Sequence, residues 1–407
     1  MMRDDRRYNF RWLSGILMLL LLLTGCSKSS ESDENDEPQS GKPVLKIYVF
    51  SPDRPIVTRG DNGEVDASEA ENRINNIHIW VYKAGTNDSI AHISLNDVEI
   101  SEAGKEVTME LDDTYANLES KPNVDVYVAA NVTNTNCGLS FDAKSTRTEL
   151  NDALIKESYF GVTNLVSTVP GDGLPMSGVL KNKPVMGTNK VYQVQEGENS
   201  NKLANVRLVR AVSKIRFVAC KSSTNPDIVT VNSIDLNGGV LPKEEYLFLE
   251  NAYDLTTTQK WRVGTSGYVD KKTLVSNVTE VATNDSPASY SWDGSMTGQQ
   301  YETKIQEGIN AGDLTDLGTF YLRESDKALQ GTIKYTIKHT EKDNSITTIE
   351  NNPEIPNFAM VDEGDFSRNH TWIVYAYFVS SGDLIIGMVE VKDMTNSENA
   401  SQIVYNW

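Results

Sequence analysis

Residues 77–83 read Ile-His-Ile-Trp-Val-Tyr-Lys. Ile77, Ile79 and Val81 fall on one side of an extended chain, and His78, Trp80 and Tyr82 on the other. That alternation is the period of a strand, not of a helix. The same signature of β-branched and aromatic residues recurs at Val44–Phe50 (VLKIYVF), Val124–Ala129 (VDVYVA), Gly331–His339 (GTIKYTIKH), Thr371–Val379 and Leu384–Val391. Ser380-Ser381-Gly382-Asp383 reads as a hairpin turn between the last pair. One helix is predicted, over Lys144–Tyr159: Thr146 and Glu149 fit a capping box, and Leu150 and Leu154 share a face. Short strands, turn-rich connections and almost no helix predict an all-β protein of sandwiches, without βαβ units.

At 407 residues the chain exceeds what one core usually serves, which predicts two domains. The boundary is expected between Asn182 and Ala204. Residues 171–175 and 182–187 are rich in Pro and Gly, and 195–201 is polar before a new apolar pattern begins at Leu203. The domains are therefore drawn as 60–190 and 191–407. Each side has enough chain for one sandwich core, and no short-period repeat points to a solenoid. A net charge of −19, with no basic stripe, excludes a phosphate-backbone partner, so no nucleic acid is expected.

The N-terminus carries targeting information. Arg3, Arg6, Arg7 and Arg11 precede an apolar run, Leu13–Leu23, that is too short to span a bilayer comfortably. The run ends in Leu23-Thr24-Gly25-Cys26, which resembles a bacterial lipobox. Residues 1–25 are therefore expected to be a lipoprotein signal peptide. Cys26 would carry diacylglycerol through a thioether and an acyl chain such as palmitate on its new amine. The four arginines and two aspartates ahead of Cys26 leave with the leader, so the remainder carries −21. Ser29–Ser40 (SSESDENDEPQS) is a tether with nothing to bury. Its acidic residues fit either a surface-export signal or a plain solvated spacer. The two other cysteines, Cys137 and Cys220, are expected to be buried and unpaired, although a disulfide remains open in an oxidising compartment.

Few residues suggest chemistry. The four histidines, His78, His92, His339 and His370, show no metal-ligand spacing and no HExxH. No GxSxG elbow, P-loop or GxGxxG follows a strand. A carboxylate pair cannot be picked out by spacing alone, because Asp and Glu are abundant and solvated loop charge is the simpler reading. No catalytic residue, metal or cofactor is expected, and the protein is read as a non-enzyme. Trp80, Trp261, Trp292 and Trp372 raise a second possibility, a surface glycan-binding lipoprotein with stacking aromatics; buried aromatics are the plainer reading. Residues 57–63 (VTRGDNG) contain Arg-Gly-Asp, a tripeptide that integrins recognise.

Several motifs, in order, resemble one family, the type V pilins or fimbrillins of Bacteroides-like bacteria. They are the lipobox at Cys26, the strand Val44–Phe50, Thr58-Arg59, the strand Ile77–Tyr82 and Leu174-Pro175-Met176-Ser177-Gly178. Val206–Phe217 (VRLVRAVSKIRF) and Arg368-Asn369-His370, leading into Thr371–Val379, complete the set. The resemblance implies two tandem transthyretin-like, Greek-key β-sandwiches with one short helix in the first. It also implies a lipid-anchored precursor in the outer membrane, later part of a surface fimbrium that supports cell adhesion and biofilm formation. In such pilins an arginine-specific or trypsin-like protease cuts beyond the first strand, and a strand from another subunit fills the groove that opens. Mapped here, residues 26–59 are the lipidated tether and removable strand, and the cut falls between Arg59 and Gly60. Arg54 is a poorer site because Pro55 follows it. Cleavage after Arg59 also severs the Arg-Gly-Asp tripeptide. The tail Ile403, Val404, Tyr405 and Trp407 is the donor-strand candidate, short enough to favour a tip or accessory subunit over a shaft or anchor. Partners are other pilin subunits, the protease and, before cleavage, membrane lipid.

Overall fold

The computed structural model describes residues 42–50, 69–100, 104–160, 169–198, 200, 202–252, 262–296, 298–340, 345–351, 358–359, 366–380, 383–391 and 400–406. The architecture is all-β. The first sandwich uses β1 (Val44–Phe50), β2 (Asn76–Lys83), β3 (Ser89–Asn96), β4 (Lys105–Glu110) and β5 (Val124–Ala130). After β6 (Leu154–Lys156), which belongs to a separate two-stranded sheet, it continues with β7 (Met176–Lys183), β8 (Val185–Thr188), β9 (Val191–Val194), β10 (Asn205–Arg207) and β11 (Val209–Arg210). One sheet runs β10-β1-β9-β8, with β4 on the other side of β1; the second runs β11-β7-β5-β2-β3. Leu45, Ile47 and Val49 of β1 meet Ile77, Ile79 and Val81 of β2 and Val126 and Val128 of β5 in one core. The face assignment read from residues 77–83 therefore holds.

The second sandwich has β12 (Ser213–Ser222), β13 (Ile228–Leu236), β14 (Glu244–Tyr246), β15 (Lys272–Val275), β16 (Thr279–Glu280) and β17 (Ala282–Asn284). The remaining strands are β18 (Thr315–Leu322), β19 (Gln330–Thr340), β20 (Ile346–Asn351), β21 (Phe358–Ala359), β22 (Thr371–Ser380), β23 (Asp383–Val391) and β24 (Ala400–Asn406). Its sheets run β17-β12-β22-β23-β24, with β18 also on β12, and β15-β13-β19-β20, with β16 on β13 and β21 on β19. Ile215, Phe217, Val231, Ile333, Trp372 and Phe378 lie in the core between them.

Three expectations are corrected. The helix predicted over 144–159 is only α3 (Arg147–Asn151), after α1 (Glu69–Asn72) and α2 (Asp113–Ala116). Its capping box of Thr146 and Glu149 is present. Beyond it, Leu154–Lys156 is taken by β14 as an antiparallel partner, so tertiary pairing overrides the helical pattern. The second correction is α4 (Gly298–Ala311), the longest described helix, which lies in the C-terminal half. Among its described residues Tyr301, Ile305 and the side-chain-less Gly308 are buried, with Tyr301 and Ile305 packed against Val218, Ile373 and Tyr375 on the outer face of β12 and β22. Two apolar residues four apart in a polar segment make a weak periodic signal. Third, a boundary at 190/191 would divide both sheets of the first sandwich: β9 and β10 pair with β1 in one, and β11 pairs with β7 in the other. The chain passes into the second sandwich after Arg210.

The two sandwiches share a packed junction. The outer face of β2, β5 and β7 is covered by Leu247, Phe248, Val212 and Tyr321 from the second sandwich, together with Trp80, Tyr82, Tyr127 and Phe160. Both faces of β5 are thereby buried, and all seven of its residues are inside. Its one charge, Asp125, accepts hydrogen bonds from Arg147 Nε (2.7 Å), Asn182 N (2.9 Å) and Gly85 N (3.0 Å), which makes burial of the carboxylate tolerable.

Candidate functional site

β1 is a central strand. Six of its residues pair antiparallel with β4, while β9 and β10 pair parallel with its two halves on the other side. The ladder extends past its ends: Val44 N donates to Lys190 O (2.8 Å) and Leu208 N to Phe50 O (3.0 Å). Val44, Leu45, Ile47 and Val49 are each at most 2% exposed. At roughly 1.5–3 kcal/mol per buried side chain these four contribute about 6–12 kcal/mol as an upper bound. That is comparable with the whole net stability of a typical domain, about 5–15 kcal/mol. On the opposite face Lys46 Nζ and Tyr48 OH reach Glu106 at 2.7 and 2.6 Å. Burial pushes the Glu106 carboxyl up, but the hydrogen bonds from Lys46 and Tyr48 outweigh it and hold it below the usual range.

Downstream of β1, the next described element is α1, which is anchored in the second sandwich. Glu71, 4% exposed, meets Lys214 Nζ at 3.1 Å and accepts from Tyr321 OH at 2.5 Å. Arg210 donates to Glu71 O (3.2 Å), to the Asn72 side chain and to Asn369 Oδ1 (3.0 Å). Lys214 also meets Glu302 at 3.0 Å. Burial would raise the Glu71 carboxyl, but Lys214, Tyr321 and Arg210 lower it overall; burial would lower Lys214, but Glu302 and Glu71 raise it. β1 is thus held by backbone pairing, by packing and by the Lys46 and Tyr48 contacts to Glu106, and residues 51–68 connect it to α1. Cys26, Arg59, Gly60 and the Arg-Gly-Asp tripeptide lie outside the described residues.

The other quoted motifs fall at the sandwich junction. Pro175 O accepts from Ala211 N (2.8 Å), and Ser177 Oγ donates to Leu247 O (2.6 Å). A Cβ on Gly178 would lie 2.6 Å from Arg207 O, so β7 and β10 approach too closely there for any other residue. Val206–Phe217 spans three strands: β10, β11 and the start of β12 cross from one sandwich to the other. Arg368, 2% exposed, binds Glu324 Oε1 (2.6 Å) and the carbonyls of Tyr246 (2.6 Å) and Leu247 (2.8 Å). Asn369 adopts φ 63°, a left-handed conformation that Asn tolerates, and His370 O accepts from Lys214 N (2.8 Å).

Ile403, Val404 and Tyr405 lie on β24, opposite Met388, Gly387 and Ile386 of β23; Trp407 lies outside the described residues. The tail that reads as a short apolar stub is a seven-residue strand on the edge of its own sheet. Trp80, Trp292 and Trp372 are buried, at 0%, 7% and 2% exposure, and cannot stack on a sugar; Trp261 lies outside the described residues. Cys137 and Cys220 are free and buried, as the sequence suggests. Among the described residues no group of three or more His, Cys, Asp or Glu is placed to hold a metal ion. Sequence spacing missed one juxtaposition: the β2–β3 pairing sets His78 Nδ1 3.3 Å from His92 Nε2.

Residues 46–210 match the family model described as Major fimbrial subunit protein (FimA). That span runs from the second residue after the start of β1 to the last residue of β11. The first sandwich is therefore similar to the fimbrillin domain that this model describes. No curated protein matches the chain. Among solved structures, the chain is similar to a candidate cell adhesion protein from Parabacteroides distasonis: 14% identity, 90% of this chain and 97% of that one, TM-score 0.44. It is similar to another from Bacteroides eggerthii, with 16% identity, 90% and 95% coverage and TM-score 0.44. The C-terminally truncated tip fimbrial protein Mfa3 from Porphyromonas gingivalis follows at 14% identity, 90% and 100% coverage and TM-score 0.41. These scores lie below 0.5 and carry no argument, and the match to the family model is confined to residues 46–210.

Proposed function

We propose that this chain is a fimbrillin-family surface pilus subunit matured by proteolysis and assembled by strand exchange. The observation that carries the reading is the placement of β1, which is central, wholly buried on one face and joined onward through residues 51–68. Acylated Cys26 anchors the exported precursor in the outer membrane. A protease cut between Arg59 and Gly60 leaves the lipid and β1 on one fragment and the two sandwiches on the other. Loss of β1 exposes the inner edges of β4, β9 and β10 and an apolar slot over the first core. Unpaired ladder groups and bared apolar surface both favour capture of a strand from another subunit.

The anchoring of α1 through Glu71 and Arg210 supports a cut in this segment, because everything from residue 69 on stays docked when β1 leaves. In domain terms, residues 1–25 are the leader, 26–59 the removable segment, and two sandwich domains follow, divided after Arg210. The tail sits in its own sheet as β24, which fits a tip or accessory subunit that accepts a strand and has no need to donate one. In that position the molecule serves adhesion and biofilm formation. Treating the purified precursor with trypsin and sequencing the new N-terminus tests the reading: Gly60 at the start of a product that then oligomerises supports it, and an intact chain that stays monomeric refutes it.

A further inference from the structure

We propose that His78 and His92 form a bidentate site for a divalent late-transition ion such as copper or zinc, on the face of the first sandwich opposite its core. The two residues lie on adjacent strands, β2 and β3, one pair step apart on the same face, because His78 stands opposite Ser94 and Trp80 opposite His92. Their ring nitrogens, Nδ1 of His78 and Nε2 of His92, are 3.3 Å apart. Two imidazole nitrogens on one tetrahedral ion, each about 2.0–2.1 Å from the metal, stand about 3.3–3.4 Å from each other. The pair therefore already has the bite of a chelate.

The surroundings hold that bite. The Trp80 indole donates to Asp142 O at 2.8 Å, which fixes its plane. His78 stacks on it at 5.3 Å and 14°, and His92 leans on it at 5.4 Å and 38°. Ser94 Oγ lies 3.4 Å from His78 Nε2. A proton on Nε2 directed at that hydroxyl leaves the Nδ1 lone pair facing His92, the arrangement in which an outer oxygen fixes the tautomer of a metal-binding histidine. Both rings are partly exposed, so solvent can supply the remaining ligands. Burial holds both imidazoles below their ordinary pKa, which leaves them neutral and able to ligate at neutral pH, and the Asp142 carboxylate places negative charge beside them. Neutral imidazole suits copper and zinc, with copper the tighter binder.

Copper(II) titration of the full mature chain, without an affinity tag, tests the site. The expected result is one saturable equivalent whose electron paramagnetic resonance spectrum shows two imidazole nitrogens. His78→Gln and His92→Gln should each weaken binding at least about tenfold, while His339→Gln changes nothing. In the unsubstituted protein, sub-stoichiometric copper should broaden the ring-proton resonances of His78 and His92 first. An unchanged isotherm in the double variant, or broadening centred on His339 or His370, overturns the proposal.

Discussion

Glu71 Oε1 lies 3.1 Å from Lys214 Nζ, and the pair ties α1, the first described turn after β1, to the opening strand of the second sandwich. The ammonium also lies 3.0 Å from Glu302, so one lysine bridges two carboxylates. Lys214→Met removes the cation that the two carboxylates share, leaving Arg210 beside Glu71, and is expected to cost about 3–5 kcal/mol, read as a lower urea midpoint.

The same pair sets a pH window. Glu71 titrates below its ordinary 4.5 in the folded state, so its contribution is present above that value and is lost as pH falls through the lowered one. Lys214 titrates above its ordinary 10.5, so its contribution is complete below that value and is lost as pH rises through the raised one. Stability from this pair is thus flat between about 4.5 and 10.5 and declines on both sides. Urea midpoints measured from pH 3 to 6 should fall less steeply at the acid end in Glu71→Gln than in the unsubstituted protein.

β1 should behave as a strand held only by contacts once the chain is cut. Ile47→Ala removes a side chain that is 1% exposed, at an expected cost of about 2–5 kcal/mol. In the intact precursor this appears as reduced stability. In the cleaved precursor it should shift retention of the β1 fragment by about 30- to 4,000-fold, which gel filtration of the nicked protein under native conditions reads directly.

The signature Leu174–Gly178 has a steric reason that substitution can probe. Gly178→Ala places a methyl 2.6 Å from Arg207 O and 2.7 Å from Val206 Cγ1, which separates β7 from β10. A loss of about 1–3 kcal/mol is expected in thermal or denaturant unfolding.

Cys137 and Cys220 should not react in the folded protein. Burial pushes both thiols up to about 11, so little thiolate exists near neutral pH. In a Cys26→Ser chain, a thiol reagent at pH 8 should count no cysteine in native buffer and two after denaturation.

Strand identity was legible wherever one face was apolar: residues 44–50, 76–83 and 371–380 follow the period-two pattern. What escaped the sequence depended on long-range partners. α4 buries little beyond Tyr301 and Ile305, so its periodicity is faint, and residues 154–156 join a strand because Glu244–Tyr246 arrives beside them. The Arg368-Asn369-His370 motif was visible as a string, but its purpose lies in carbonyls more than a hundred residues away, at Tyr246 and Leu247. The approach of His78 to His92 likewise follows from β2–β3 register and not from spacing along the chain.

The central claim, that β1 is an exchangeable strand released by one cut, is tested most directly on trypsin-nicked precursor incubated with an excess of fluorescent peptide spanning Val44–Phe50. The account predicts a new N-terminus at Gly60, departure of the original fragment and stoichiometric uptake of the peptide, with no uptake by uncut protein or by a precursor carrying Arg59→Ala. A precursor that is cut at Gly60 yet keeps its own strand and binds no peptide, even alongside other subunits, would contradict it.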